Sequence, residues 1–152
     1  MNEAEVIVDD KLPMVRIIRE FDAPPAKVFR AHVDPELFVK WNWDDSYEVR
    51  FDHFDCRTGG SYRITMSGPE MTGSVHGSFH DVIANELIVQ TFAPDAFPEC
   101  VVLERHRFED LGNGRTRLTA QSLVESFEYR DVFLDAGMVE GYARLDQLLA
   151  EI

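Results

Sequence analysis

Cysteine is scarce in this chain: Cys56 and Cys100 are the only two among 152 residues. That is too few for a disulfide framework, so both read as free thiols in a reducing compartment. Basic residues are also few. Fifteen Lys and Arg stand against 28 Asp and Glu, which leaves a net charge of −13. Such a charge repels phosphate backbones and anionic lipid, so nucleic acid is excluded as a partner. No apolar run approaches the roughly 20 residues of a membrane span, so no membrane insertion is expected. The first ten residues carry Glu3, Glu5, Asp9 and Asp10 and no basic residue. A secretory signal needs a basic start and an apolar run, and neither is present. The expected location is cytoplasmic.

The usual catalytic signatures are missing too. There is no G-x-S-x-G sequence, and Gly59-Gly60-Ser61 reads as a turn entering a strand. Gly112-Asn113-Gly114 lacks a third glycine and a following helix, so it reads as a hairpin turn and not a dinucleotide site. His76 and His80 would share one face of a strand but lie ~13 Å apart, too far for one metal unless a bulge intervenes. His53, near Asp52, Asp55 and Cys56, fits no closed zinc pattern. Neither cysteine has an obvious activating partner. No metal and no cofactor are expected.

What the chain does have is period. Residues 1–13 read as a loosely ordered leader, with room for a short strand at Val6 to Val8, and residues 14–152 as a single domain. Val15, Ile17, Ile18 and Phe21 make a first strand, stopped by Asp22-Ala23-Pro24-Pro25. Pro25 to His32 reads as a short helix with Val28 and Phe29 inward. Asp34 caps a second, with Pro35 in its first turn, running to about Val39. Trp41-Asn42-Trp43 is expected in a loop.

From Tyr47 the period becomes two. Tyr47, Val49 and Phe51 alternate with charged residues, and so do Tyr62, Ile64 and Met66. Met71 to Ile83 is a long strand in which Gly73 and Gly77 mark a bulge or bend. Leu87 to Phe92 follows. Val101 to Glu109 and Arg115 to Leu123 form a hairpin around Gly112-Asn113-Gly114. The last stretch returns to helical period: Leu134, Met138, Gly141, Leu145, Leu148 and Ile152 share one face. Arg130 to Ile152 as a single helix would span ~35 Å.

Strands do not alternate with helices, so a parallel sheet is excluded. The expected class is α+β: a curved antiparallel sheet of six to seven strands wrapped around a long C-terminal helix, with two short helices after the first strand. An antiparallel sheet needs one face covered, and the terminal helix is the element long enough to cover it. A curved sheet around one helix leaves space between them. A dry void of ~300 Å³ would cost several kcal/mol, so such a space is expected to hold water or a ligand.

The order and spacing of certain pieces resemble a known family. They are Phe21-Asp22-Ala23-Pro24, Val28-Phe29, Asp34-Pro35-Glu36, Trp41, Asp55 through Tyr62, Gly77, Thr116-Arg117-Leu118-Thr119, and Gly141-Tyr142 before Leu145 and Leu148. Together they are similar to the bacterial homologues of the heat-shock-protein ATPase activator, within the START-like or SRPBCC superfamily of helix-grip proteins. The family commonly has Trp where this chain has Tyr142. The resemblance implies a helix-grip fold over an internal cavity. Relatives across the superfamily bind lipids, sterols, polyketides or hormones, and some are cyclases or hydrolases, so fold alone does not decide function. The eukaryotic activators carry a separate N-terminal domain that contacts the chaperone, for which residues 1–13 are expected to leave no room.

Two sets of residues are candidates for chemistry. Val102, Glu104, His106 and Phe108 share a face of one strand; in a cavity, Glu104 and His106 would be desolvated and suited to proton transfer. Arg105 and Arg107 occupy the other face. The second set is apolar: Phe38, Trp41, Met66, Phe92, Phe133 and Met138, with His106 and Tyr142, are expected to line the cavity. The leading expectation is binding of a small apolar or amphipathic molecule, not turnover. The alternatives are a cyclase- or hydrolase-type enzyme using His106 and Glu104, and a stress-related partner of a chaperone ATPase. A homodimer stays open.

Overall fold

Alternation decides the inner face of each strand. In β2 (Met14–Phe21) every second residue is buried: Val15, Ile17, Arg19 and Phe21. The same period holds in β4 (Ser61–Ser67), with Tyr62, Ile64 and Met66 inward, and in β8 (Arg115–Leu123), with Thr116, Leu118, Ala120 and Ser122 inward. The computed structural model describes residues 3–134 and 139–152, apart from the side chain of Phe133.

With β1 (Glu5–Val8), β3 (Glu48–Phe54), β5 (Thr72–Ile83), β6 (Leu87–Pro94) and β7 (Val102–Gly112), these strands form one antiparallel sheet. Its order is β1-β2-β8-β7-β6-β5-β4-β3. The eight strands exceed the expected six to seven because Glu5–Val8, within the segment read as a loose leader, pairs along β2. The β7–β8 hairpin turns through Asn113 and Gly114, whose φ values of 54° and 72° are what a tight two-residue turn needs.

The irregularity expected at Gly73 or Gly77 of β5 falls instead between Phe79 and Asp81, where the register against β6 shifts, while Gly77 serves a close approach. At Gly77 and Ser78 the β5–β6 pairing lapses, and the Ser78 amide donates to the Thr91 hydroxyl at 3.0 Å. A Cβ on Gly77 would stand 1.9 Å from the Thr91 carbonyl oxygen. Only glycine permits this approach. Tyr62, opposite Gly77 on β4, reaches across it to donate its hydroxyl to the same carbonyl at 2.6 Å.

Between β2 and β3 the chain crosses from one side of the sheet to its far edge by two helices. α1 (Pro25–Val33) has proline in its first turn and buries Val28, Phe29, Ala31 and His32. α2 (Pro35–Asn42) starts at Asp34, whose carboxylate accepts from the Glu36 amide at 3.0 Å. It extends one turn beyond the expected end, so Trp41 is helical and not in a loop. The indole explains why: it is buried, and its N–H donates to the Ala31 carbonyl of α1 at 2.9 Å.

The helix expected over 130–152 is realised as α3 (Phe127–Leu134) and α4 (Gly141–Glu151), with Val139 and Glu140 in a turn before α4. Met138 and Gly137, which belonged to that expected helix, lie outside the described residues. α4 buries Gly141, Tyr142, Leu145, Leu148 and Leu149. Gly141 lets it sit close on α2, since a Cβ there would meet the Trp41 carbonyl oxygen at 3.0 Å. Arg144 completes the junction by donating to the Trp41 carbonyl at 2.9 Å and the Asn42 carbonyl at 3.3 Å. These carbonyls end α2 and have no partner within the helix, so a guanidinium there is doubly favourable.

Candidate functional site

The helices and the inner face of the sheet leave a cavity of about 420 Å³ between them. Its apolar wall comes from α2 (Phe38, Trp41), α4 (Tyr142), β3 (Phe54), β5 (Phe79) and β6 (Phe92). The rings lean on one another: Trp41 stacks on Tyr142 with centroids 5.9 Å apart, and Phe38 meets Trp41 and Phe54 at 5.9 and 5.6 Å.

One region of this wall is polar, and strand register explains it. Gln90 on β6, Glu104 on β7 and Ser122 on β8 are direct cross-strand neighbours and form one row across the sheet. Ile88, His106 and Ala120 form the next row. All six line the cavity. Gln90 donates to a Glu104 oxygen at 3.2 Å. Desolvation pushes the Glu104 carboxyl up from 4.5 to about 7, against the smaller opposing effect of the Gln90 hydrogen bond. Its carboxyl is therefore divided between neutral and charged forms near neutrality.

His32, at the end of α1, faces His106 with ring centroids 5.8 Å apart. Burial pushes His106 down from 6.5 to about 3, with the neighbouring His32 acting in the same direction. Burial likewise takes His32 down to about 4. Both rings are neutral at physiological pH. The His32 Nδ1 lies 2.8 Å from the Val28 carbonyl, which can only accept, so Nδ1 carries the proton and Nε2 is a bare lone pair. Neither His32 Nε2 nor His106 Nδ1 has a hydrogen-bond partner among the described residues.

The outer part of the lining is charged. Asp44, Glu70 and Glu140 are exposed there, beside Arg144. The Arg144 guanidinium is committed to the α2 carbonyls.

Of the residues expected to line a cavity, the fold brings Phe38, Trp41, Phe92, His106 and Tyr142 together, and Glu104 with them. Met66 is not on that wall. It is 1% exposed, sealed into the core by β3 and β5 on either side. Met138 and the side chain of Phe133 lie outside the described residues. Sequence reasoning missed His32, Gln90, Tyr62 and Ser122. Gln90 and Ser122 were available from register, since they are the cross-strand neighbours of Glu104. His32 had only its place on the buried side of α1, beside Val28 and Phe29.

Cys56 packs against the core, and burial pushes its thiol up to about 12, so it is a poor nucleophile. No group of three metal-ligating side chains occurs among the described residues. No described helix is long and apolar enough to cross a membrane.

A curved antiparallel sheet gripping a C-terminal helix, with two short helices closing a cavity, defines the helix-grip class of START-like proteins. Within that class the family model described as activator of Hsp90 ATPase homolog 1-like protein matches residues 22–150, and the chain belongs to this family. Solved structures agree with the fold. A protein from Rhodobacter sphaeroides is 21% identical with a TM-score of 0.85, over 99% of this chain and 100% of that one. A protein from Arthrobacter aurescens is 25% identical with a TM-score of 0.81, over 97% and 92%. One from Mycobacterium smegmatis is 23% identical with a TM-score of 0.78, over 97% and 94%. Comparison with curated proteins finds no match.

Proposed function

We propose that the chain binds one small, largely apolar molecule in the cavity between sheet and helices. The observation that carries this is the cavity itself: about 420 Å³, walled by aromatic rings, with a confined polar row at Gln90, Glu104 and Ser122. Ligand sites of this size pair apolar walls with a few placed polar groups in this way. The experiment is titration with N-phenyl-1-naphthylamine, a neutral apolar dye whose emission rises on leaving water. One-to-one binding, weakened about tenfold by Phe38→Ala or Phe92→Ala, supports the cavity, since each change removes a large aromatic contact. Binding unchanged in both variants would place the dye elsewhere and remove the reading.

Glu104 favours a second reading, an enzyme of cyclase or hydrolase type. A carboxyl held at about 7 in an apolar cavity can give or take a proton near neutrality. His106, held near 3, is the weaker base of the pair. This reading requires turnover that disappears in Glu104→Gln while the variant still folds. The family's description also brings a chaperone ATPase into view. That role would act through the surface, and it requires stimulation of an Hsp90-type ATPase by the purified chain.

A further inference from the structure

The polar groups on the cavity wall are mismatched in kind. Glu104 offers carboxyl oxygens, and its one hydrogen bond to a described side chain comes from Gln90. His32 is 6% exposed, and its Nδ1–H is spent on the Val28 carbonyl, which leaves Nε2 an unpartnered acceptor. The Tyr62 hydroxyl, a donor, is committed to the Thr91 carbonyl. Ser122, Tyr142 and the neutral His106 ring can donate or accept, so the groups left to accept only are the Glu104 carboxylate and the His32 Nε2.

Positive charge is scarce in the same lining. Arg144 is the only Lys or Arg among the described lining residues, and it is held by the Trp41 and Asn42 carbonyls. Both lining histidines are neutral. An anionic ligand would meet Glu104 with no counter-charge. A cation would meet a carboxylate, a wall that includes the Trp41, Phe38 and Tyr142 rings, and an exposed outer part carrying Asp44, Glu70 and Glu140. Aromatic faces attract cations, and a chain of net charge −13 draws them in from solution.

We propose that the cavity selects organic cations: an aromatic or other apolar body carrying a protonated amine that seats against Glu104. An ammonium group has three donors and no acceptor, which complements the Glu104 carboxylate and the unpartnered His32 Nε2. The inference rests on the reading of the cavity as a ligand site, and it adds the sign and hydrogen-bonding character of the ligand's head.

Three probes with the same two-ring body separate the cases: 1-naphthylmethylamine, 1-naphthalenemethanol and 1-naphthoate, titrated by calorimetry at pH 7.5 and low salt into the wild-type chain and into Glu104→Gln. The amine should bind about tenfold more tightly than the alcohol, because charge-assisted hydrogen bonds are roughly twice as strong as neutral ones. The gap should close in Glu104→Gln because amine affinity falls by more than alcohol affinity does. The wild-type ratio stands alone if the variant does not fold. An alcohol that equals or exceeds the amine, a naphthoate that binds best, or a gap that survives in Glu104→Gln would overturn the cation while leaving the cavity in place. If none of the three binds the folded wild-type chain, the cavity reading falls and this inference with it.

Discussion

Arg19 and Asp146 meet as a two-pronged ion pair, Nη1 to Oδ1 at 3.0 Å and Nη2 to Oδ2 at 2.5 Å, and so lock the terminal helix to the second strand. Arg19 occupies an inward position of β2 between Ile17 and Phe21, is 6% exposed, and lies 4.7 Å over the Phe21 ring. Phe21 in turn meets Tyr142 edge to face at 5.8 Å. The pair therefore holds α4 in place just where it contributes Tyr142 to the cavity wall.

Asp146→Asn should destabilise the chain by about 3 kcal/mol, because it removes a carboxylate that is held by two prongs against a buried guanidinium. Arg19→Met should cost clearly less, since a flexible apolar side chain fills the space without a stranded charge. Urea unfolding of both variants at pH 7 checks the order. Equal midpoints for Asp146→Asn and the parent would show that the pair does not hold the helix.

Gly77→Ala should be among the most damaging single-methyl changes in the chain. The added carbon would lie 1.9 Å from the Thr91 carbonyl oxygen and 2.7 Å from the Tyr62 hydroxyl. Strands β4, β5 and β6 must shift together to admit it, at about 3 kcal/mol. Gly73→Ala, on the same strand with nothing within 4 Å of the added carbon, is the control and should be close to neutral. Thermal melting of the two variants side by side gives the comparison.

The cavity should leave two opposite marks on stability as a function of pH. Glu104 sits at about 7 in the folded chain against an ordinary 4.5. Between those values the folded state keeps a proton that the unfolded chain releases. This contribution is complete below 4.5 and is lost as pH rises through 7. Glu104→Gln should therefore gain up to roughly 3 kcal/mol over the parent at pH 8 and nothing at pH 4.5. His32 and His106 act the other way. They are lowered from 6.5 to about 4 and about 3, so their contribution is complete above 6.5 and is lost as pH falls through 4 and then 3. His106→Phe should flatten the acid side of the profile. Gln90, Ser122, Tyr62 and Tyr142 are polar groups near Glu104; Gln90 and Ser122 do not titrate, and both tyrosines are pushed upward, first by burial and then by Glu104, so they stay neutral throughout. Urea midpoints between pH 4 and 9 for parent and variants provide the test.

Most of the fold was legible because alternation and capping are local. Pro24-Pro25 and Asp34-Pro35 announce two helices, and the period-two runs give the strands and the hairpin at Asn113-Gly114. What local pattern hides is register and packing. Arg19 falls on the inward side of the alternation Val15-Ile17-Arg19-Phe21, and the carboxylate it meets, Asp146, lies 127 residues away on α4. Trp41 reads as loop because nothing nearby in sequence shows that Ala31 will accept from its indole. Met66 follows the right strand period but lies in the sealed core, since which part of an inner face stays open depends on how helices cover it. Glu104 and His106 were placed on one face by spacing alone. Their partners Gln90 and Ser122 required the pairing of three strands.

The most direct test of a ligand-binding cavity is native mass spectrometry of the freshly purified chain beside its denatured mass, repeated after incubation with 1-naphthylmethylamine and 1-naphthalenemethanol. A discrete added mass at one molecule per chain, lost on denaturation, is expected either as purified or after incubation. The bare mass of the chain under all three conditions would contradict a ligand-binding cavity.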